Sequence, residues 1–398
     1  MRVLQLCKKF PYPVKDGEAI AITQLSRALH ALGSQLTLLC MNTQKHHFDE
    51  AIPVGVLDHY EAVHSVDVDT RVRAWSALLN LFSSASYHIV RFESVAFKQK
   101  LIEILQAQDF DIIQLETLYL APYIPTIRQY SKARIAMRAH NAEHEIWARI
   151  SQHTHFLPKK WYLQYLTKKL RNYEIAALKD YDLLIAITQR DLDLFRSLAY
   201  QNQAVVVPIG IDGQSYQADF SSYKRALSLS FIGSLDWMPN QEGLQWFLAQ
   251  VWPRLQARFP DLEFHIAGRN TPTWMYDLTY SNVFIHGEVP DAKAFVNAHS
   301  VMVVPLLSGS GMRAKILEGM ALGKIVLTTS VGLEGIAARH QKEVLIANEP
   351  GDFVDGIRFC YEAGEVLEEI GERARALVLQ GYDYMEIGRV LMQKYRGD

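Results

Sequence analysis

Arg313, Lys315 and Glu318 stand close together inside a glycine-bearing stretch, "GSGMRAKILEGMALGK", that runs from Gly309 to Lys324. Gly309 and Gly311 can turn the chain sharply after the apolar run "VMVVPLL". The pattern predicts a helix that starts near Met312. The first N–H groups of a helix lack intrahelical partners and its N-terminus is positive, so an anion is favoured there. Arg313 and Lys315 add two cations at that end, an unfavourable placement unless an anion meets them. Lys315 and Glu318 are three apart and share a face. The carboxylate then lies one turn deeper, where it could accept two hydroxyls of a ribose. The chemistry is that of a phosphate or diphosphate carried by a nucleoside. A solvated Lys–Glu pair on an ordinary amphipathic helix uses the same spacing and stays open. An ATPase-type phosphate loop does not fit. Three residues separate Gly319 from Gly323 where that motif needs four, and Ile325 follows Lys324 where it needs a hydroxyl. "GMALGK" reads instead as a helix end leading into the next strand.

His140 follows the apolar run "RIAMR" and is a second candidate, with a hydrogen-bonded structural histidine as the alternative. His140 and His144 have i, i+4 spacing, but "HNAEH" lacks the Glu of a zinc-binding H-E-x-x-H, so no metal is expected there. D-x-D occurs at 67, 109, 180 and 191 in unrelated settings. Asp109, Asp111, Asp180 and Asp182 merely precede expected strands.

The elements that must position these residues form two series. "RVLQLC" is a strand and "KKFPYPVKDG" a loop. From Glu18 to Leu32, residues Ile22, Leu25, Ala28, Leu29 and Leu32 follow helical spacing, and Gly33 stops the helix. "QLTLLCM" is the next strand, so strand, helix and strand imply a parallel sheet. Further strands are expected at 111–116, 133–140, 182–188 and 204–208, with a helix at about 94–107. Glycine, serine and aspartate mark 208–226 as a linker. The second series has strands at 229–234, 262–268, 282–287, 300–305 and 324–329, with helices at about 241–258 and 312–322. The runs are nearly continuous in apolar residues, as strands covered on both faces should be. Ligands of such sheets bind at the carboxyl ends of strands. That directs attention to Lys8–Gly17, His140–Glu145, Ser234–Asn240 and Ser308–Glu318.

The chain has 398 residues, 49% hydrophobic and 21% charged, and a formal net charge of −2, which suits a globular enzyme and gives no global basic field for nucleic acid. Cys7, Cys40 and Cys360 have no metal-ligand spacing and read as buried thiols of a reducing compartment. The N-terminus does not read as a signal peptide, and no uninterrupted apolar run is long enough to span a bilayer. A cytoplasmic protein is expected, with peripheral contact to the inner face of a membrane as an option. "PKKWYLQYLTKKLRNYE" at 158–174, with five Lys or Arg and four aromatics, is either a solvated face or a surface for anionic lipid. "WSALLNLF" at 75–82 would assist such docking or belong to the core.

The stretch "GSGMRAKILEGMALGKIVLTTSVGLEGI" resembles the donor-binding segment of retaining, nucleotide-sugar-dependent glycosyltransferases of the GT-B fold, family 4 (group 1). The resemblance covers nearly the whole chain. "FPYPVKDG" is similar to the family's N-terminal loop, with Gly17 at its glycine. "VVVPIGID" is similar to its hinge, with Ile209 at the usual Asn. "FIGSLDWMPNQEGLQWFLAQVWPRL" resembles a subgroup with D-W-x-P-N. "YDYMEIGRVLMQKY" resembles the last helix. Ser310 stands where the family has its first Glu, which contacts the donor sugar. Ser234 stands where it commonly has Arg, and no basic residue takes the place of its Lys. The phosphate charge would then fall on Arg313 and Lys315.

The resemblance implies an α/β protein of two Rossmann-like doubly wound domains facing across a cleft. An N-terminal acceptor-binding domain would span 1–208 and a donor-binding domain 209–378, and a C-terminal helix, 379–398, would return to the first domain. It implies sugar transfer from a nucleotide-diphosphate donor, UDP or GDP type, to a sugar or lipid-linked hydroxyl acceptor, with retained configuration and with neither metal nor further cofactor. The setting it suggests is bacterial surface polysaccharide or glycolipid assembly. His140 and Glu318 take the catalytic places. Gly17, Ser310, Gly311, Met312, Arg313, Lys315 and Glu318 take the donor-binding ones. A GT-B nucleotide-sugar epimerase and a non-catalytic sugar-nucleotide or partner-binding protein are the alternatives. A Rossmann dehydrogenase would need a G-x-G-x-x-G after the first strand, which is missing.

Overall fold

Strand β1 (Arg2–Cys7) is buried from Val3 onward and pairs in parallel with β2 (Gln35–Thr43) on one side and β4 (Ile112–Leu115) on the other. The computed structural model describes residues 1–14, 16–48, 55–72, 80, 83, 85–152, 154, 156–309 and 311–397. They divide into two compact units, residues 1–208 with 384–398, and residues 209–383.

The sheet of the first unit has the order β3-β2-β1-β4-β5-β6-β7, with every pairing parallel, where β3 is Ala62–Val68, β5 Arg134–Ala139, β6 Leu183–Ala186 and β7 Gln203–Val206. Strand β3 is absent from the sequence-based expectation. It lies at the sheet edge, half-exposed and alternating through "AVHSVDV", so it lacks the continuous apolar run that marks the others. The first helix, Gly17–Ala31, starts at Asp16, whose side chain accepts from the Ala19 N–H at 2.9 Å. The helix Tyr384–Arg396 packs on it. A Cβ at Gly388 would come 2.5 Å from that of Ala28, so the glycine permits the close approach. Arg134 Nη1 donates to the carbonyls of Lys394 and Tyr395 at 3.3 and 3.1 Å, tying the end of the chain to the first unit. The expected boundary at 378 falls inside the helix Val366–Gly381, and the change of unit lies at Asp383/Tyr384.

The second unit's sheet, also parallel, has the order β10-β9-β8-β11-β12-β13. Here β8 is Ser228–Ile232, β9 Glu263–Ala267, β10 Val283–Gly287, β11 Val301–Val304, β12 Ile325–Thr328 and β13 Leu345–Ile346. Phe231, Phe247, Trp252, Phe264 and Phe353 build its core. The single helix expected over 241–258 is three pieces. A π-turn at Phe247–Val251 separates Met238–Trp246 from Trp252–Arg258, where Pro253 has no N–H to continue the ladder.

The expected linker, 208–226, is instead part of the second unit's packing from Ile209 onward. Lys324 is fully buried and holds it. Its ammonium donates to the Asp219 carbonyl, to Ser222 Oγ at 2.9 Å and to the Asn297 carbonyl at 3.1 Å. Burial pushes the Lys324 pKa down to about 8. The lysine that mimics a phosphate loop in sequence is thus a structural clamp. Cys7, Cys40 and Cys360 are buried free thiols. No described helix is long and apolar enough to cross a membrane.

Candidate functional site

In each sheet the strand order reverses once, beside the first strand, and such switch points open a crevice at the strands' carboxyl ends. In the second unit the reversal lies between β8 and β11. Ser234 follows β8, and the stretch from Gly309 follows β11. The helix here is Ala314–Ala321, two residues later than expected. Arg313 is its N-cap, with extended φ and ψ of −94° and 93°, and its side chain does not cap the helix. Met312 and Arg313 therefore lie in the loop, and Gly309 and Gly311, at φ 119° and 75°, make the turn that the sequence suggests. Ser310 lies outside the described residues.

The Arg313 guanidinium lies over the Trp237 ring, 5.7 Å from its centroid. A Cβ at Gly309 would stand 2.6 Å from Arg313 Nη2, so the glycine makes room for the guanidinium. Lys315 Nζ donates to Asn240 Oδ1 at 2.7 Å and sits 4.3 Å from the centroid of Phe231. Asn240 Nδ2 in turn donates to the Ser234 carbonyl at 2.7 Å, so it joins the loop after β8 to the helix after β11. A Cβ at Gly233 would come within 2.8 Å of Lys315 Nζ, which explains a glycine there. Burial, with Arg313 nearby, pushes the Lys315 pKa down to about 7. One turn on, Glu318 Oε1 accepts from the Tyr216 hydroxyl at 2.7 Å. Burial raises the Glu318 carboxyl, opposed by Tyr216, Lys293 and Lys315. Lys315 and Glu318 are thus not a solvated ion pair. Each is held by a neutral partner. Ser234 Oγ donates to Asp236 Oδ1 at 2.6 Å.

In the first unit the reversal lies between β1 and β4. Glu116 follows β4, is fully buried, and gathers four side chains. Gln5 Nε2 donates to Oε1 at 2.5 Å, and Gln114 Nε2 donates to the same oxygen. Arg138 Nη1 donates to Oε2 at 3.4 Å, and His140 Nε2 lies 2.9 Å from Oε2. Burial alone would raise the Glu116 pKa, but Arg138 and His140 outweigh it and hold it below the usual range. An ionised carboxylate only accepts, so Nε2 of His140 carries the proton. Tyr60 donates to Gln5 Oε1 at 2.6 Å, and Tyr395, in the last helix, donates to Gln114 Oε1. Gly17 is the first residue of the first helix. Beside it Glu18 meets Lys8 at 3.3 Å and Lys9 at 3.6 Å. Burial would raise Glu18, yet the two lysines bring it down to about 2. His144 does not converge with His140. Its Nδ1 pairs with Glu174 at 2.5 Å, and no described cluster of three His, Cys, Asp or Glu could hold a metal ion. Asp111 and Asp182 of the D-x-D matches are structural, accepting from the N–H of Arg2 and Ile135 at 2.7 Å each.

Gly311, Met312, Arg313, Lys315 and Glu318 are therefore brought together in one unit, and Gly17 and His140 lie in the other. The sequence reading misses Glu116 and Tyr216. Glu116 ends the strand "DIIQLE", and the rule that directs attention to strand ends would have found it. Tyr216 lay in the segment read as linker.

Two doubly wound units with these strand orders make the GT-B architecture, and solved structures share it across the full length. Sucrose-phosphate synthase of Thermosynechococcus elongatus is 15% identical with a TM-score of 0.74, covering 100% of this chain and 99% of that one. HepE of Anabaena, in complex with UDP, is 14% identical with a TM-score of 0.69, covering 100% of both. Residues 16–214 match the family described as Glycosyltransferase Family 4, and residues 226–363 match Glycosyl transferases group 1. The chain belongs to glycosyltransferase family 4. It is also 21% identical, over 97% of each chain, to a protein of Klebsiella pneumoniae described as an uncharacterized 44.6 kDa protein in the cps region.

Proposed function

We propose that the protein transfers a sugar, with retained configuration, from a nucleoside-diphosphate donor to a hydroxyl acceptor. One observation carries this reading. At the switch point of the second unit, Arg313 and Lys315 stand at a helix start that its N-cap side chain does not cap, one turn from the carboxylate of Glu318. The diphosphate would meet the two cations and the helix N–H groups, and Glu318 would accept the ribose hydroxyls. As the bond between the sugar's anomeric carbon and the phosphate oxygen breaks, charge grows on the diphosphate. Arg313 and Lys315 then act most strongly in the transition state. The departing phosphate oxygen takes the proton of the acceptor hydroxyl, whose oxygen bonds the anomeric carbon from the same face. Because side-chain cations meet the leaving charge, transfer is expected to proceed without a divalent ion and to survive chelation.

His140 would support the reacting sugar or the acceptor, with its ring direction set by Glu116. Anabaena HepE, solved with UDP-glucose, supports a uridine-type donor, and the relative in a cps region supports a setting in surface polysaccharide assembly. The test is a panel of UDP- and GDP-sugars with hydroxyl acceptors, read by product NMR. A new glycoside of the donor's anomeric configuration is expected. An epimerised donor formed without acceptor would favour the isomerase reading, and binding without turnover across the panel the non-catalytic one.

A further inference from the structure

The helix Leu157–Ala177 of the first unit turns Leu163, Leu166, Leu170 and Ala177 inward. Its outer face presents Leu157, Trp161, Gln164, Lys168 and Arg171 at steps of three and four residues. Five large apolar side chains among the described residues are more than 60% exposed, and three of them cluster here: Phe156 at 68%, Leu157 at 75% and Trp161 at 66%. Single exposed apolar residues need no explanation, whereas a cluster does. Lys159 flanks it, and Lys168 and Arg171 continue the exposed face. The helix carries five cations and one acid in a chain of net charge −2. That acid, Glu174, is turned away from the face. It accepts from the N–H groups of Glu143 and His144 at 3.1 and 3.2 Å and pairs with His144. Nothing anionic on the helix therefore neutralises its outer side. The other side of the helix is anchored, with Lys169 Nζ donating to the Asn80 carbonyl at 2.6 Å. Of the segments that the sequence offered for docking, 75–82 lies outside the described residues except Asn80.

We propose that the Phe156–Arg171 face is a docking surface for an anionic lipid bilayer. A protein partner would need a shaped hollow for Phe156, Leu157 and Trp161, whereas the bilayer interface accepts such side chains without one. Anionic headgroups complement Lys159, Lys168 and Arg171, so the attachment is reversible and falls with salt. It does not depend on the transferase reading.

The test is co-sedimentation of the full chain with vesicles of phosphatidylcholine alone and with one-third phosphatidylglycerol. Binding is expected to the mixed vesicles, to be weak on the neutral ones, and to be lost at high salt. Lys159→Ala and Lys168→Ala should each weaken it about fivefold, as about 1 kcal/mol per basic residue near the surface implies. Trp161→Ala should weaken it several-fold. Circular dichroism checks that the variants fold, since none of these side chains is buried. Equal binding to both vesicle types would overturn the proposal. So would undiminished binding by K159E/K168E/R171E, or binding to polyglutamate with no vesicle binding, which would point to an acidic protein instead.

Discussion

The two switch points handle charge in opposite ways. At the end of β4 a buried carboxylate, Glu116, is surrounded by its own donors: Arg138, His140 and two glutamine amides. At the end of β11 a half-buried lysine, Lys315, rests on the neutral amide of Asn240 with Arg313 close by, and its pKa has fallen to about 7. In the first arrangement the carboxylate is met by donors of the protein itself, and one of them is a histidine held against it. The second holds Arg313 buried and Lys315 half-buried, with no carboxylate among the described residues paired with Lys315 Nζ, a costly state that an arriving anion would relieve. On the proposed reading, the contrast separates a positioning network from an anion-binding one.

Substitutions can break that contrast. The largest effect is expected from Glu318→Ala, which removes the carboxylate assigned to the ribose. Loss of two hydrogen bonds to a charged group predicts a fall in kcat/KM of about a hundredfold or more while the fold survives. Near wild-type turnover would remove Glu318 from the site. Next comes Glu116→Gln, which keeps the shape but places an amide among donors. We expect kcat to fall by about 10- to 100-fold with the donor Kd unchanged, and the nitrogen shifts of labelled His140 to show a changed tautomer. A Kd that rises in step would merge the two regions that the comparison separates.

Smaller, but specific in sign, is the effect of pH on nucleoside-diphosphate binding. Lys315, lowered to about 7, loses its proton in the empty protein as pH rises through that value, and a bound anion restores it. Affinity should therefore decline above about pH 7, with uptake of about half a proton at that pH, read by calorimetry in buffers of different ionisation enthalpy. Lys315→Met should weaken binding about tenfold and flatten the profile. The smallest effect on binding is expected for Lys324→Met. It should lower folding stability by about 1–3 kcal/mol, because the carbonyls of Asp219 and Asn297 lose a buried donor, and leave nucleotide affinity unchanged. A binding defect with unaltered stability would return this lysine to the ligand.

The second region was far more legible in the sequence than the first. Arg313, Lys315 and Glu318 lie within six residues, and the spacing of Lys315 and Glu318 alone predicts one shared helix face for those two. The parallel strands were legible because both of their faces are buried, and β3 was not, because it is an edge. The network around Glu116 draws on Gln5, Tyr60, Gln114, Arg138, His140 and Tyr395, which only the sheet order and the returning helix bring together. Tyr216 and Lys324 escaped for a related reason. A segment rich in Gly, Ser and Asp reads as linker, and the lysine that pins it reads as part of a glycine motif. The helix start moved from Met312 to Ala314 because Arg313 is extended, which sequence spacing does not register.

The central claim is that the helix start after β11 binds the diphosphate of a nucleotide. Calorimetric titration of UDP and GDP into the wild-type protein and into Arg313→Ala/Lys315→Met tests it most directly. The account predicts binding of at least one nucleotide to the wild type, weakened by about a hundredfold in the double variant at unchanged melting temperature. Equal affinity of the two proteins would contradict it.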